Sequence, residues 1–196
     1  MKQVKEVMFS INENKSPGPD EYGSGFYKAA WSIIGQDIRD AILEFMSSGK
    51  LLRQLNATLI SLIPKVDHPI SASKFRPISC CNVLYKCISK LLYTRLAEVL
   101  LALVSDTQAA FVKDRSIVHS VLMCHDLLRL YNRKMTSPRC LMKIDLKKAY
   151  DIVNWDFVHE MLVKYGFTPK FVQLIMVCVT TTSFSVKGAE TNVQAT

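Results

Sequence analysis

The chain reads as a helix-rich α+β protein. Apolar residues recur at helical spacing in several long stretches, short β-branched runs interrupt them, and proline and glycine mark the joins. With 196 residues there is chain enough for one large domain or two small ones. Apolar residues make up 49%, and glycine and proline number only seven each, a globular rather than a disordered composition.

Val4, Val7, Met8 and Ile11 predict a short amphipathic helix over residues 2–13. The loop Asn14-Lys15-Ser16-Pro17-Gly18-Pro19-Asp20 follows, kept irregular by two prolines and a glycine. It reads first as a stiff connector and second as a loop presenting Lys15 and backbone amides to phosphates. Trp31, Ile34, Ile38, Ile42 and Phe45 mark one stripe of a long helix over 26–48, which Gly49 ends. Residues 55–63 are short and β-branched and predict a strand. A polar loop over 66–74 leads into Phe75-Arg76-Pro77-Ile78, which its proline makes extended. Lys65 and Arg76 therefore flank a hairpin, either as solvated loop cations or as a pair able to grip a triphosphate.

Asn82 is placed to cap a helix running to about Val104, whose face of Leu84, Ile88, Leu91, Leu92, Leu96, Val99 and Leu103 predicts core. Ser116 is a candidate N-cap for a helix over 117–134 that buries Ile117, Val121, Cys124, Leu128 and Tyr131. Arg129, Arg133 and Lys134 suit the negative end of its dipole.

The stretch 139–157, RCLMKIDLKKAYDIVNWDF, begins as a strand-like alternation. Cys140, Met142, Ile144 and Leu146 fall on one face, Leu141, Lys143 and Asp145 on the other. A strand buried on one side with a carboxylate near its end can carry a metal ion, and it can equally carry a solvated aspartate. Asp145 is the lone acid among seven basic residues between Arg129 and Lys148, so it stays ionised while the cations draw in a polyanion. Asn154 caps a further helix to Tyr165 that Gly166 closes, with Asp156 as a first-turn acid. Thr168-Pro169 starts another, to about Val179. Residues 182–187 read as a strand and 188–196 as a turn with its return strand just beginning.

The net charge of +8 and a pI near 9.2 point to a polyanionic partner, nucleic acid first and an acidic membrane surface second, or to a merely soluble basic protein. The six cysteines sit in apolar runs without C-x2-C spacing, as reduced core residues do; Cys80, Cys81 and Cys87 give a weak metal signal. No secretory signal is evident and no apolar run is long enough to span a bilayer, which predicts an intracellular protein, nuclear or cytoplasmic, with no membrane partner.

Taken in order, NKSPGPD with GFYKAAW, LISLIPK, FRPISCCNVLYKCISKLL, QAAFVKDRS and KIDLKKAYDIVNWDF resemble the reverse transcriptase domain of non-LTR (LINE-type) retrotransposons, those of plant genomes especially. Group II intron maturases are similar in outline. The resemblance implies a partial right-hand polymerase fold, fingers plus an incomplete palm. Residues 1–135 would be a fingers-like region with interleaved palm helices, and residues 136–196 a partial palm. It implies RNA-directed DNA synthesis, that is, nucleotidyl transfer assisted by Mg2+, with RNA template, DNA primer and deoxynucleoside triphosphates as partners. By the resemblance, Asp145 is the first metal-binding aspartate of the palm and the Leu146 carbonyl a further ligand. Tyr150 matches the residue beneath the incoming sugar, where a ring excludes a 2′-hydroxyl by bulk. Lys65 and Arg76 match fingers residues that hold the triphosphate. Gln108, Phe111 and Arg115 match a motif near template and nucleotide.

The sequence also departs from that pattern. The family's later R-Q-G-D-P and X-A-D-D motifs do not occur, and the only adjacent acids are Asp20-Glu21. One aspartate cannot hold two ions, so a chain truncated before those motifs is expected to be inactive alone, with an unpaired strand edge beside Asp145. Glu21 stands where a glycine is usual after PGPD. The alternative is a non-catalytic, nucleic-acid-binding remnant of a transposable element, and a helical interaction domain is a third reading.

Overall fold

The computed structural model describes residues 2–112, 114–129, 131, 140, 142–144, 152–186 and 192–194. Its helices are α1 (Lys2–Phe9), α2 (Ser24–Ala29), α3 (Trp31–Ser48), α4 (Val83–Leu103), α5 (Ile117–Arg129), α6 (Trp155–Lys164) and α7 (Pro169–Thr180). Its strands are β1 (Ala57–Pro64), β2 (Phe75–Cys81), β3 (Ser183–Val186) and β4 (Asn192–Gln194). Helix and sheet are mixed, as the sequence predicts. The chain divides within α4 into two units, residues 1–93 with 155–196 and residues 94–154.

The first unit holds one sheet in the order β2-β1-β3-β4. β1 and β2 form an antiparallel hairpin from Thr58 opposite Cys81 to Pro64 opposite Phe75. β3 lies parallel to β1, with Ala57 opposite Ser183, and β4 returns antiparallel along β3. The core of this unit gathers Val4 and Met8 from α1, Ile11 two residues past its end, Ile38, Ile42 and Phe45 from α3, Cys87, Ile88 and Leu91 from α4, and Leu174 and Cys178 from α7. These are the stripes that helical spacing picks out, closed by apolar burial.

Helix ends follow their local chemistry. Thr168 accepts the Phe171 amide, with Pro169 at the first helical position. Gly166, at φ 79°, ends α6: the Gly166 amide bonds the Val163 carbonyl and the Phe167 amide bonds that of Leu162. Ser116 caps α5 through the Val118 amide.

Four expectations need correction. The helix over 26–48 is two, broken at Ala30; α2 brings the Tyr27 hydroxyl to Asp20 while α3 directs its own stripe into the core. The stripe on α5 is exposed rather than buried, with Ile117, Val121 and Leu128 all about half exposed or more and Cys124 exposed. Helical spacing identifies an apolar face but not the presence of something to cover it. Cys140, Met142 and Ile144 lie in no strand and are exposed, Met142 and Ile144 at 75% each. Alternation alone makes no strand without a pairing partner, and among the described residues none pairs there. The cysteines are divided: Cys80, Cys87 and Cys178 are buried, but Cys124 and Cys140 are not.

Candidate functional site

The β1–β2 hairpin places Lys65 and Arg76 together. Ile63 lies opposite Arg76, and the ladder continues past the strand ends through the Lys65 amide to the Lys74 carbonyl at 2.8 Å. Residues opposite one another in an antiparallel pair project to the same side, and so do residues two apart along a strand. Lys65, Lys74 and Arg76 therefore share one face at the hairpin's loop end. The Lys65 ammonium donates to the Ser73 carbonyl at 2.9 Å, which fixes its position and leaves two further protons for an anion. None of the three cations has an ion-pair partner among the described residues. Lys74 is the residue that sequence reasoning missed. Counting the hairpin outward from Ile63 and Arg76 sets it opposite Lys65, and that register was the signal available.

The other end of β2 is built to fold, not to bind. Asn82, 3% exposed, sends its amide to the Gln54 carbonyl at 2.8 Å and receives the Asp20 amide on Oδ1 at 3.3 Å. Its own carbonyl accepts the Lys86 amide, but its side chain turns from the helix it was expected to cap to the NKSPGPD loop. Gly18 packs so closely there that a Cβ would stand 2.1 Å from Asn82 Oδ1 and 2.3 Å from its backbone nitrogen. Asp20 in turn receives the Tyr22 amide and the Tyr27 hydroxyl. Burial, then the Asp20 charge, pushes Tyr27 up to about 12. The connector reading of this loop accounts for Gly18 and Asp20.

In the second unit, Arg115 is occupied. Its guanidinium reaches the carbonyls of Leu101, Val104, Ser105 and Gln108 and pairs with Asp106 at 3.3 Å. A cation over the last carbonyls of α4 offsets the helix's negative end. Gln108 is exposed and donates to the Ala110 carbonyl. Phe111 is 86% exposed at a φ of 62°, an uncommon backbone for an aromatic residue.

Asp145, Leu146 and Tyr150 lie outside the described residues. Among the described residues no three His, Cys, Asp or Glu side chains gather to hold a metal ion, and Cys80, Cys81 and Cys87 form no such group. The described residues thus supply no cradle for Mg2+, and no step is derived through it. Burial instead pushes the Cys87 thiol up to about 12 and the Cys178 thiol up to about 11, as for inert core cysteines. Among the described residues no helix is long and apolar enough to cross a membrane.

Three cations on one hairpin face of a mixed helix-and-sheet unit concentrate positive charge of the kind that suits an anion. The chain belongs to the reverse transcriptase (RNA-dependent DNA polymerase) family, whose model matches residues 63–195, starting near the loop end of this hairpin. It is also similar to the transposon TX1 uncharacterized 149 kDa protein of Xenopus laevis, with 28% identity over 170 residues. That match covers 87% of this chain but only 13% of the relative. The transposable-element side of the resemblance is supported, and nothing in this match points to plants in particular.

Proposed function

We propose that the chain is the fingers and part of the palm of an RNA-directed DNA polymerase, and that the β1–β2 hairpin holds the triphosphate of the incoming deoxynucleotide. The observation that carries this reading is the register that puts Lys65, Lys74 and Arg76 on one face. A triphosphate brings several negative charges, and cations fixed in advance offset them without reorganising as the nucleotide arrives. Arg76 supplies a planar fork suited to two phosphate oxygens, and the lysines supply point charges. When bound, Mg2+ would activate the primer 3′-hydroxyl and stabilise the leaving oxygens. Asp145 and the Leu146 carbonyl are its proposed ligands, Tyr150 the proposed barrier to a 2′-hydroxyl, and Gln108, Phe111 and Arg115 the proposed neighbours of template and nucleotide. RNA template and DNA primer are the proposed partners.

Equilibrium binding of a fluorescent deoxynucleoside triphosphate tests the hairpin. Lys65→Gln and Arg76→Gln are each expected to weaken binding about tenfold or more, the loss typical of one charge-assisted hydrogen bond. Unchanged affinity in the double variant would overturn the assignment. In a longer chain bearing further palm carboxylates, Asp145→Ala is expected to abolish magnesium-dependent primer extension on RNA.

A further inference from the structure

The loop that joins β1 to β2 carries two serines beside the three cations. Ser71 and Ser73 are both exposed, and their hydroxyls lie 2.9 Å apart. Ser73 is tied to the positive face: its carbonyl takes the Lys65 ammonium at 2.9 Å, and Lys74 is the next residue. Arg76 lies three residues on, on the same face as Lys65 and Lys74. The loop's one acid, Asp67, makes no ion pair among the described residues. The fold thus places a hydroxyl, a group that can be phosphorylated, one residue's width from cations that suit a phosphate.

Access and charge point the same way. Ala72–Lys74 forms a single 3-10 turn, closed by the Lys74 amide on the Ser71 carbonyl at 3.0 Å, and Ile70 beside it is 93% exposed. A segment held by so little opens cheaply into an extended enzyme cleft. Lys74 and Arg76, one and three residues after Ser73, give it the basic flank that an acid-lined kinase groove selects. Once made, a phosphoserine brings a charge of about −1.5 to −2 at pH 7 and three acceptor oxygens. These meet three cations, with the Ser71 hydroxyl placed to donate as well. Being tethered, the phosphate competes with a dissolved triphosphate at an effective concentration on the order of millimolar.

We propose that Ser73 is a phosphorylation site for a protein serine kinase, and that its phosphate occupies the face of Lys65, Lys74 and Arg76 and shuts the hairpin to the nucleotide. The transfer forms a bond from Ser73 Oγ to the terminal phosphorus of ATP and breaks that atom's bond to the bridging oxygen. ADP leaves, and the hydroxyl proton passes to the kinase's base. The inhibitory half of the proposal rests on the triphosphate reading of the hairpin.

The full chain is tested in two forms, unaltered and with phosphoserine installed at residue 73 during translation. Incubation of the unaltered chain with basophilic serine kinases and ATP should place a phosphate on Ser73, read by mass spectrometry of its peptides, and Ser73→Ala should lose it. No phosphate at that residue with any of these kinases would overturn the assignment. Phosphorus NMR across pH, without nucleotide, reads the contact itself. The second ionisation of the phosphate should fall about one unit below its ordinary value of about 6, and should return on changing Lys65, Lys74 and Arg76 together to Gln. A fluorescent deoxynucleoside triphosphate should bind the phosphorylated chain about tenfold more weakly or worse. If the hairpin reading is wrong, the phosphorus shift appears while triphosphate affinity ignores both the phosphate and Lys65→Gln with Arg76→Gln, which overturns the inhibitory half. If the switch alone is wrong, those Gln changes still weaken the triphosphate, but the phosphorus shift is absent and the phosphorylated chain binds as the unaltered one does.

Discussion

The two ends of β2 sit on one seven-residue strand and do opposite things. At Phe75–Arg76 the polar groups face outward and the cations lack counter-charges among the described residues. At Cys80–Asn82 the side chains are largely buried, and Asn82 finds its partners in Gln54 and Asp20. Basic and amide residues look alike in a sequence. What separates them is whether the fold supplies their partners: where it does, the group holds the structure together, and where it does not, the group is available to a ligand. That contrast can be tested by stability measurements, with large losses expected at one end and almost none at the other.

The largest loss is expected from Gly18→Ala. The new methyl would meet Asn82 N at 2.3 Å and Cys81 C at 2.6 Å, backbone atoms that cannot swing aside. A loss of roughly 3–5 kcal/mol in denaturant unfolding is expected, in the range of severe overpacking. A loss below about 1 kcal/mol would mean that the loop does not press on the start of α4.

Alkaline pH comes next. Burial raises the Cys87 thiol from 9.0 to about 12 and the Cys178 thiol from 9.0 to about 11, so the folded state favours the neutral forms. Below pH 9 both states hold these protons and the thiols add no pH dependence. As pH rises above 9 the unfolded chain ionises first and stability falls, by about 2–3 kcal/mol for the two thiols together at pH 10. Melting between pH 8 and pH 10 measures this, and Cys87→Ala with Cys178→Ala should flatten the fall. A flat profile in the unaltered chain would contradict the burial of these thiols.

Asn56→Ala is expected to cost about 2 kcal/mol. Asn56 is 1% exposed, and its amide donates to the Cys178 carbonyl and the Thr181 hydroxyl while its Oδ1 accepts the Thr182 hydroxyl. Removing it strands buried polar groups between β1 and the end of α7. A loss no larger than a surface substitution gives would mean that water replaces these bonds.

Much of this was legible in the sequence because the signals were local. Thr168-Pro169, Gly166 and Ser116 set helix ends by bonds within a few residues, and the Lys65–Arg76 hairpin follows from a strand, a polar loop and a proline. Other features depend on remote partners. Asn82 reads as a cap, yet its side chain serves a loop more than sixty residues earlier. Arg115 reads as a site residue, and nothing local shows that its guanidinium also reaches the carbonyls at the end of α4. The stripe on α5 reads as buried, since spacing records the face and not its cover. Lys74 was hidden in a loop until the register set it opposite Lys65. Asp145 and Tyr150 rest on the motif alone.

Glu21→Gly moves stability the other way and by less. Glu21 adopts a φ of 62°, and its amide closes the turn onto the Gly18 carbonyl at 3.0 Å. A left-handed backbone costs a residue with a Cβ about 1 kcal/mol, which explains why glycine is usual after PGPD. Glycine also loosens the unfolded chain, so a net gain of a few tenths to about 1 kcal/mol is expected in denaturant unfolding. A loss would mean that the Glu21 side chain contributes something the backbone argument omits.

The smallest expected effect is at the exposed end of β2. Lys65→Gln with Arg76→Gln removes two cations whose only side-chain bond among the described residues is the one from Lys65 to the Ser73 carbonyl. Exposed groups of this kind contribute little to stability, so the unfolding free energy should stay within about 0.5 kcal/mol of the unaltered chain. Removing like charges that crowd one face could even raise it slightly at low salt, where screening is weakest. A loss approaching that of Asn56→Ala would show that the hairpin cations have partners within the fold after all. They would then belong with Asn82 among the residues that hold the chain together, and their availability to a triphosphate would lose its physical basis.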